Sequence, residues 1–527
     1  MNFNNYIKIA GYWFLLISIV FFCVGCVTQK NIPDAKPAGR LPGIQPDYSG
    51  IVIPPNIAPL NFSIKETGED FVVRIHSKNG EPIQIENNSG LIQIPMKQWK
   101  RLVSENPGEE LIVDIYLKNQ AGQWISFNPI VNKIAQESMD GYLSFRRFKP
   151  LFNLWKKMGI FQRCLENFDE KPILLNRLTQ DNCMNCHTFW QNETDKWLLH
   201  LRGGPGTAML LVTDGKARRV NTKTKFSGVA AYSAWHPSGE LVAFSVSKLL
   251  LFHHEMGEDR DVLDRSSDIY VYDINTNTIT TTPQISDPHR MEIWPAWSPD
   301  GTYLYFCSAP ELESYADSSR SGEVALNKIK YDLMRIAYDP LKHSWGNLET
   351  VISSSDIGLS ITEPRVSPDG RFVLFTAASN SQFPIYIQSA DLYVLEVKTN
   401  RWKKLELNSD KADSFHSWSS NGRWIVFSSK REDGLFTKPY FSYFDTSGHA
   451  AKPFVLPQEN PLSYETSLEI YNAPEFTKEP VHISPQDLAK AAFSEQDALN
   501  AKFDSTSVAE KNTNKTNSAK QVRVPSK

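Results

Sequence analysis

The chain has no long basic stretch and a net charge of only −3 over 527 residues, so it lacks the electrostatic footprint of a nucleic-acid binder. It contains no Gly-x-Ser-x-Gly, no His-Glu-x-x-His and no phosphate-cradling glycine loop, which removes the common hydrolase and nucleotide-site signatures. Gly203-Gly204-Pro205-Gly206 is turn-rich, without the strand-to-helix setting that a dinucleotide site requires. Cysteine is scarce, six residues in all, and there is no second Cys-x-x-Cys and no paired-histidine motif to complete a zinc site. What is present is ordinary globular material, 41% hydrophobic and 22% charged, enough to fill the cores of two domains.

The ends differ from the middle. Lys8 precedes an uncharged apolar run from Ile9 to Gly25, shorter than the roughly 20 apolar residues of a membrane span, so residues 1–25 read as an export signal. The run closes on Cys23-Val24-Gly25-Cys26; a small residue directly before Cys26 resembles a bacterial lipobox, although Cys23 stands where Leu is usual. That resemblance implies a lipid on Cys26, and Val27 in place of an acidic residue implies the outer membrane, at its periplasmic face. An uncleaved N-terminal anchor is the alternative. Residues 26–55 are rich in Pro, Gly and polar side chains and are expected to form an extended linker. Residues 494–527, rich in Ser, Thr, Asn and Lys, are expected to be a disordered tail.

Residues 56–135 alternate apolar and polar side chains in short runs such as Phe71-Val72-Val73-Arg74-Ile75, with one helical piece at Met96 to Ser104. The pattern predicts a small antiparallel β-sandwich, immunoglobulin- or fibronectin-like. Residues 136–493 carry an internal repeat. Ala234-Trp235-His236-Pro237-Ser238-Gly239, Ala296-Trp297-Ser298-Pro299-Asp300-Gly301, Val366-Ser367-Pro368-Asp369-Gly370 and Trp418-Ser419-Ser420-Asn421-Gly422 each precede an apolar strand. Each copy reads as a tight turn between two strands, with further strands downstream. The Trp-Ser-Pro-Asp-Gly core closely resembles the TolB-type, WD40-like propeller repeat. The resemblance implies a β-propeller; with the alternating N-terminal runs and the further strand segments, the expectation is an all-β chain, a β-sandwich followed by a propeller of six blades, with seven as the alternative. Residues 468–493 are expected to cover the ring or complete its closure, and blades are also expected around Gly141 to Cys164 and Trp197 to Val220.

One motif carries chemistry. Cys183-Met184-Asn185-Cys186-His187 is the attachment signature of c-type haem: two thiols bond the former vinyl groups and the adjacent His187 ligates iron. An export signal fits, because haem c is attached outside the cytoplasm. A disulfide, a redox dithiol or another metal remain as alternatives. Phe189 and Trp190 are expected as apolar cover. For the sixth iron position the nearest candidates are His200, preferred, and Met209, whose apolar surroundings also suit plain core packing. Cys164 and Cys307 are read as either a pair or two separate thiols, and His236, His253, His254 and His416 as solvated or loop histidines. Tyr232, Trp294, Glu363 and Phe415 share the third position before the repeat Trp or Val366. In TolB-like propellers this stretch approaches the central channel. The functional expectation is a lipid-anchored haem protein that transfers electrons to an unknown redox or envelope partner. The alternatives are a non-catalytic binding or scaffolding protein with a structural or sensory haem, and a haem enzyme with an open sixth position.

Overall fold

The computed structural model describes residues 34–149, 157–251, 262–311, 316–317, 323–324, 328–380 and 382–504. The expected signal (1–25), Cys26, His253, His254 and most of the expected tail lie outside the described residues. The described chain is all-β: a sheet-on-sheet N-terminal unit is followed by a β-propeller.

The N-terminal unit packs a seven-stranded sheet and a three-stranded sheet around Phe62, Val73, Ile75, Trp99, Leu111 and Ile115, all buried. The expected linker is corrected here. Lys36–Pro37 pairs in parallel with Ile125 and Ser126, and Val52–Ile53 pairs in parallel with Lys133 and Ile134. Tyr48, Ile51 and Ile53 are buried in the same core, so residues 36–53 belong to the sandwich, which is consequently mixed and not purely antiparallel. Three apolar side chains among prolines and glycines are too few to register as a strand pattern, but neighbouring strands supply the ladder.

Among the described residues six antiparallel blades of four strands follow, two of which gain a fifth, parallel strand at the outer edge. Blade 2 is Cys183–Phe189, Lys196–Arg202, Ala208–Thr213 and Lys216–Asn221. Blade 3 is Ala231–Trp235, Leu241–Leu251, Val262–Asp273 and Thr278–Thr280. Blade 4 is Arg290–Trp297, Tyr303–Pro310, Asp332–Asp339 and Ser344–Ile352. Blade 5 is Ser360–Val366, Phe372–Ala378, Asp391–Glu396 and Arg401–Lys404, and blade 6 is Asp413–Trp418, Trp424–Ser429, Lys438–Tyr443 and Phe454–Val455. Blade 1 is made from both ends of the domain: Tyr142–Phe148, Met158–Cys164 and Glu170–Leu175 take Ile470–Thr477 as their innermost strand. That strand touches the inner strands of blades 2 and 6, so the contacts of the inner strands run in a closed cycle.

The repeat turns are held by their own side chains. Ser298 Oγ donates to Asp300 at 2.6 Å and accepts the Tyr303 N–H at 2.9 Å; Ser367 and Ser419 do the same in blades 5 and 6. His236 takes this role in blade 3, its Nδ1 lying 2.8 Å from Ser238 Oγ, so it is a turn residue and not a solvated one. Two of the repeat tryptophans tie their blades to the one before: Trp235 Nε1 donates to the Thr188 carbonyl at 3.2 Å and Trp418 Nε1 to that of Arg365 at 3.1 Å.

The expected tail is corrected in part. Leu499–Asn500 adds in parallel to the outer strand of blade 2, and Lys502–Phe503 to that of blade 3. Such exposed edges accept a strand of almost any composition because the ladder is made by the backbone.

Candidate functional site

Each inner strand carries the same irregularity. The register shifts between Asn185 and Thr188, Ala231 and Ala234, Ile293 and Ala296, Thr362 and Arg365, Ser414 and Ser417, and opposite Ser144 and Arg146 in blade 1. At each bulge one non-glycine residue has a left-handed backbone: Cys186 (φ 53), Tyr232 (φ 46), Trp294 (φ 58), Glu363 (φ 54), Phe415 (φ 50) and Ala473 (φ 47). A left-handed non-glycine residue costs roughly 1–2 kcal/mol, and a bulge re-aims the side chains around it. The sequence shows four of these positions through the repeat. Only the register shows that Cys186, inside the haem motif, is the fifth and Ala473 the sixth.

The motif therefore lies on the inner strand of blade 2. Cys183 is buried in a cluster with Phe148, Met158, Met184, Phe189 and Trp197, and burial pushes its thiol up to about 11. Cys186 packs instead against the axial cluster that includes Tyr232 and Trp294, and its thiol is also raised by burial. The two cysteines are not bonded to each other, and Cys164 and Cys307 are free as well. His187 is 4% exposed, and its ring nitrogens make no well-formed hydrogen bond, although the Ser144 backbone lies within reach. Burial lowers its pKa to about 3, helped by the charges of Arg146 and Arg365, so the imidazole is neutral at physiological pH. Phe189 stacks edge-on to His187 at 6.0 Å and lies over Trp197 at 5.4 Å; Trp190 is half-buried and donates to the Pro237 carbonyl at 3.0 Å.

The expected sixth ligand is corrected. His200 is paired with Asn185 on one side and Met209 on the other, and its Nε2 lies 2.8 Å from Ser233 Oγ of blade 3. Its strand neighbours Leu199 and Leu201 pack toward blade 1 with Met184, whereas Leu198 and Met209 pack toward blade 3 with Trp235 and Phe244. Strand alternation thus puts His200 and Met209 on the blade 3 face, while His187 lies within the influence of Ser144 and Arg146 of blade 1. Proximity in sequence suggested His200; the two-residue period of the strand puts it on the face opposite to His187. The sulfur on the His187 side is that of Met158, which accepts the Met184 N–H at 3.2 Å. Its strand shows no motif, so the sequence offered no signal for it.

The motif offers two unbridged thiols and one neutral, buried imidazole within five residues, the thiols packed in two different clusters. Among the described residues no cluster of three or more His, Cys, Asp and Glu side chains could hold a bare metal ion.

Across the ring the channel is filled. Tyr232 and Trp294 lie 4.0 Å apart, Trp294 meets Phe415 edge-on at 6.1 Å, and Trp294 Nε1 donates to Gln382 Oε1 at 3.0 Å. Glu363 Oε2 accepts from the Thr376 hydroxyl at 3.0 Å and the Phe415 N–H at 2.8 Å; burial raises its pKa to about 7. Glu475 of blade 1 is likewise raised to about 7 by burial and accepts the Phe189 N–H at 3.0 Å. His416 is buried against the Leu374 carbonyl at 3.1 Å and is held neutral, its pKa lowered to about 3 by burial.

Ring, bulges and motif together define a β-propeller protein. No sequence family matches the chain, and no curated protein does. Among solved structures it is similar to the β-propeller domain of the Trilobed protease from Pyrococcus furiosus, at 13% identity and a TM-score of 0.31, over 67% of this chain and 96% of that one. It is also similar to the Dos1 propeller, at 13% identity and a TM-score of 0.26, over 44% of this chain and 63% of that one. A third is prolyl oligopeptidase B from Galerina marginata, at 11% identity and a TM-score of 0.33; the chain spans 43% of its length.

Proposed function

We propose that this chain is an exported, lipid-anchored c-type haem protein that transfers single electrons, with the propeller as docking surface for a redox or envelope partner. The observation that supports this most is His187, buried with no more than a weak contact to the Ser144 backbone, beside two thiols that are not paired with each other. Leaving a buried polar group unsatisfied costs about 1–3 kcal/mol, and iron ligation is one way to recover it. Cys183 and Cys186 would hold the group and His187 would supply the proximal nitrogen; bound haem supplies the one-electron chemistry. The protein's own part is environmental. Phe148, Phe189 and Trp197 exclude water from Cys183, burial keeps the imidazole in the neutral form that ligates metal, and Arg146 places positive charge alongside. The TolB-type resemblance of the repeat and the lipobox resemblance at Cys26 support an envelope location, at the periplasmic face of the outer membrane.

The test is an absorption spectrum of the purified chain made with a haem-attachment system. A Soret band that survives acid–acetone extraction is expected, and it should be lost in Cys183→Ser/Cys186→Ser. Protein without haem and with both thiols intact under those conditions would sink the proposal. A second reading, a TolB-like binding or scaffolding protein without a redox role, draws on Cys186 holding a position that five non-cysteine residues also fill. A haem that neither accepts nor donates electrons with small mediators would favour it.

A further inference from the structure

Between two strands near its C-terminal end the chain crosses the apolar cluster that holds Cys183. Ile470–Thr477 is laddered to Tyr142–Phe148 as the inner strand of blade 1, and Leu499–Asn500 is laddered to the outer strand of blade 2. Residues 478–498 join the two and contain no strand. Their regular element is the helix Pro485–Phe493, capped by Ser484, whose hydroxyl accepts the Asp487 N–H at 3.1 Å. Leu488 and Ala492 of that helix are fully buried and Val481 is 7% exposed, all in one core with Cys183, Met184, Phe189 and Trp197.

What fastens this segment differs in kind from a ladder. Gln162, on the blade 1 strand Met158–Cys164, grips the Val481 backbone by two bonds: its Nε2 donates to the Val481 carbonyl at 3.1 Å and its Oε1 accepts the Val481 N–H at 2.7 Å. Thr194 Oγ1 donates to the Pro480 carbonyl at 3.2 Å, and the Lys478 N–H donates to the Asn192 carbonyl at 2.9 Å. A cleft of about 480 Å³, lined by Gln162, Cys164, Pro480, Val481 and His482 among others, borders the fastening, so the segment has open space on one flank. A stretch laddered at both ends and held between them by a few side chains opens at lower cost than the sheets it joins.

We propose that residues 478–493 form a strap over the motif strand, which lifts as a unit when the Gln162 grip is released, its two ends staying laddered, and that this opening gives Cys183 its access to solvent and to incoming groups. The strap itself does not depend on haem. What it admits rests on the haem reading: Cys183 is 5% exposed with the strap seated, so a group bonded there arrives before the strap seats or through its release.

The experiment treats the full chain, prepared without a haem-attachment system, with a small maleimide under native conditions and locates the modified cysteines by peptide mass spectrometry. Gln162→Leu keeps nearly the same bulk and removes both bonds to Val481; Cys183 is expected to react about tenfold faster in it than in wild type. Cys307, fully buried in blade 4 away from the strap, is expected to keep its wild-type rate and reports opening of the whole ring. Asn408→Leu is the matched control, because Asn408 grips the Leu392 backbone of blade 5 by the same two kinds of bond, at 2.7 and 2.8 Å, and it is expected to leave Cys183 unchanged. Circular dichroism checks each fold; if Gln162→Leu does not fold, Ser484→Ala, which removes only the helix cap, takes its place with an expected gain of about fivefold. A Cys183 rate equal to wild type in the folded variant, a Cys307 rate that rises with it, or the same gain in Asn408→Leu overturns the strap. A chain that never takes up haem leaves this result standing, and a chain that takes it up while Cys183 stays sealed in Gln162→Leu overturns the strap alone.

Discussion

Blades 3 to 6 and blades 1 and 2 are built to one plan but from different sequence. The first group repeats its turn chemistry, and its channel residues are large and packed together. In the second group the turn motif is absent, one inner strand comes from residues 470–477, and the bulge positions are Cys186 and Ala473. The candidate chemistry therefore sits where the repeat lapses. A repeat is a packing solution; where it is abandoned, the ring keeps its strand pairing with other side chains.

That contrast can be broken at several strengths. The largest effect is expected in the packed half: Trp424→Ala removes a fully buried indole whose Nε1 donates to the Glu137 carbonyl at 3.1 Å, and should cost about 3–5 kcal/mol in denaturant unfolding. A cost below about 1 kcal/mol would mean that blade 6 is not packed against the connecting segment as described.

The next effect is on pH dependence. Burial lets Glu363 hold its proton to about 7 when folded, against 4.5 for a free side chain. The folded state therefore binds more protons than the unfolded one between those values, so this group's contribution is full below 4.5 and lost as pH rises through about 7. Glu363→Gln, neutral at every pH, should gain on the wild type across that window, by about 3 kcal/mol as an upper bound. His416 has the opposite sign, since its lowered pKa makes folding more favourable as pH rises from about 3 toward 6.5. The difference between variant and wild type, and not the wild-type curve alone, is thus the quantity to measure. A pH-independent difference would place Glu363 in contact with solvent.

The smallest effect concerns the bulge itself. Ala473→Gly relieves a left-handed alanine at φ 47 and should be neutral or stabilising by about 0.5–1 kcal/mol, whereas Ala377→Gly, on a regular stretch of blade 5, should cost about that much. Equal effects at the two sites, measured by thermal unfolding, would remove the equivalence of the six bulges.

Much of this was legible beforehand. The four turn motifs are local: a serine or histidine two residues before its acceptor and a glycine with positive φ need only six consecutive side chains to be recognised. The Cys183-to-His187 motif is local too. What escaped depends on contacts distant in sequence. Residues 36–53 looked like a tether because their ladder partners lie some 80 residues or more away. His200 looked like a ligand because it is near in sequence, yet the pleat turns it toward Ser233. Arg146, Arg365 and Glu475 belong to no motif, and their charges bear on one another or on His187 only because distant strands are brought together in the ring.

From the amino acids alone come the alternation that makes strands, the turns that join them, and a thiol–thiol–imidazole set of definite chemistry; each needs only neighbouring residues to be specified. Tertiary structure decided which strand closes the ring, which face His200 takes, and that Cys183 and Cys186 fall in two different clusters. Those facts follow from pairings hundreds of residues apart, such as Leu143 with Phe476, which no local pattern encodes.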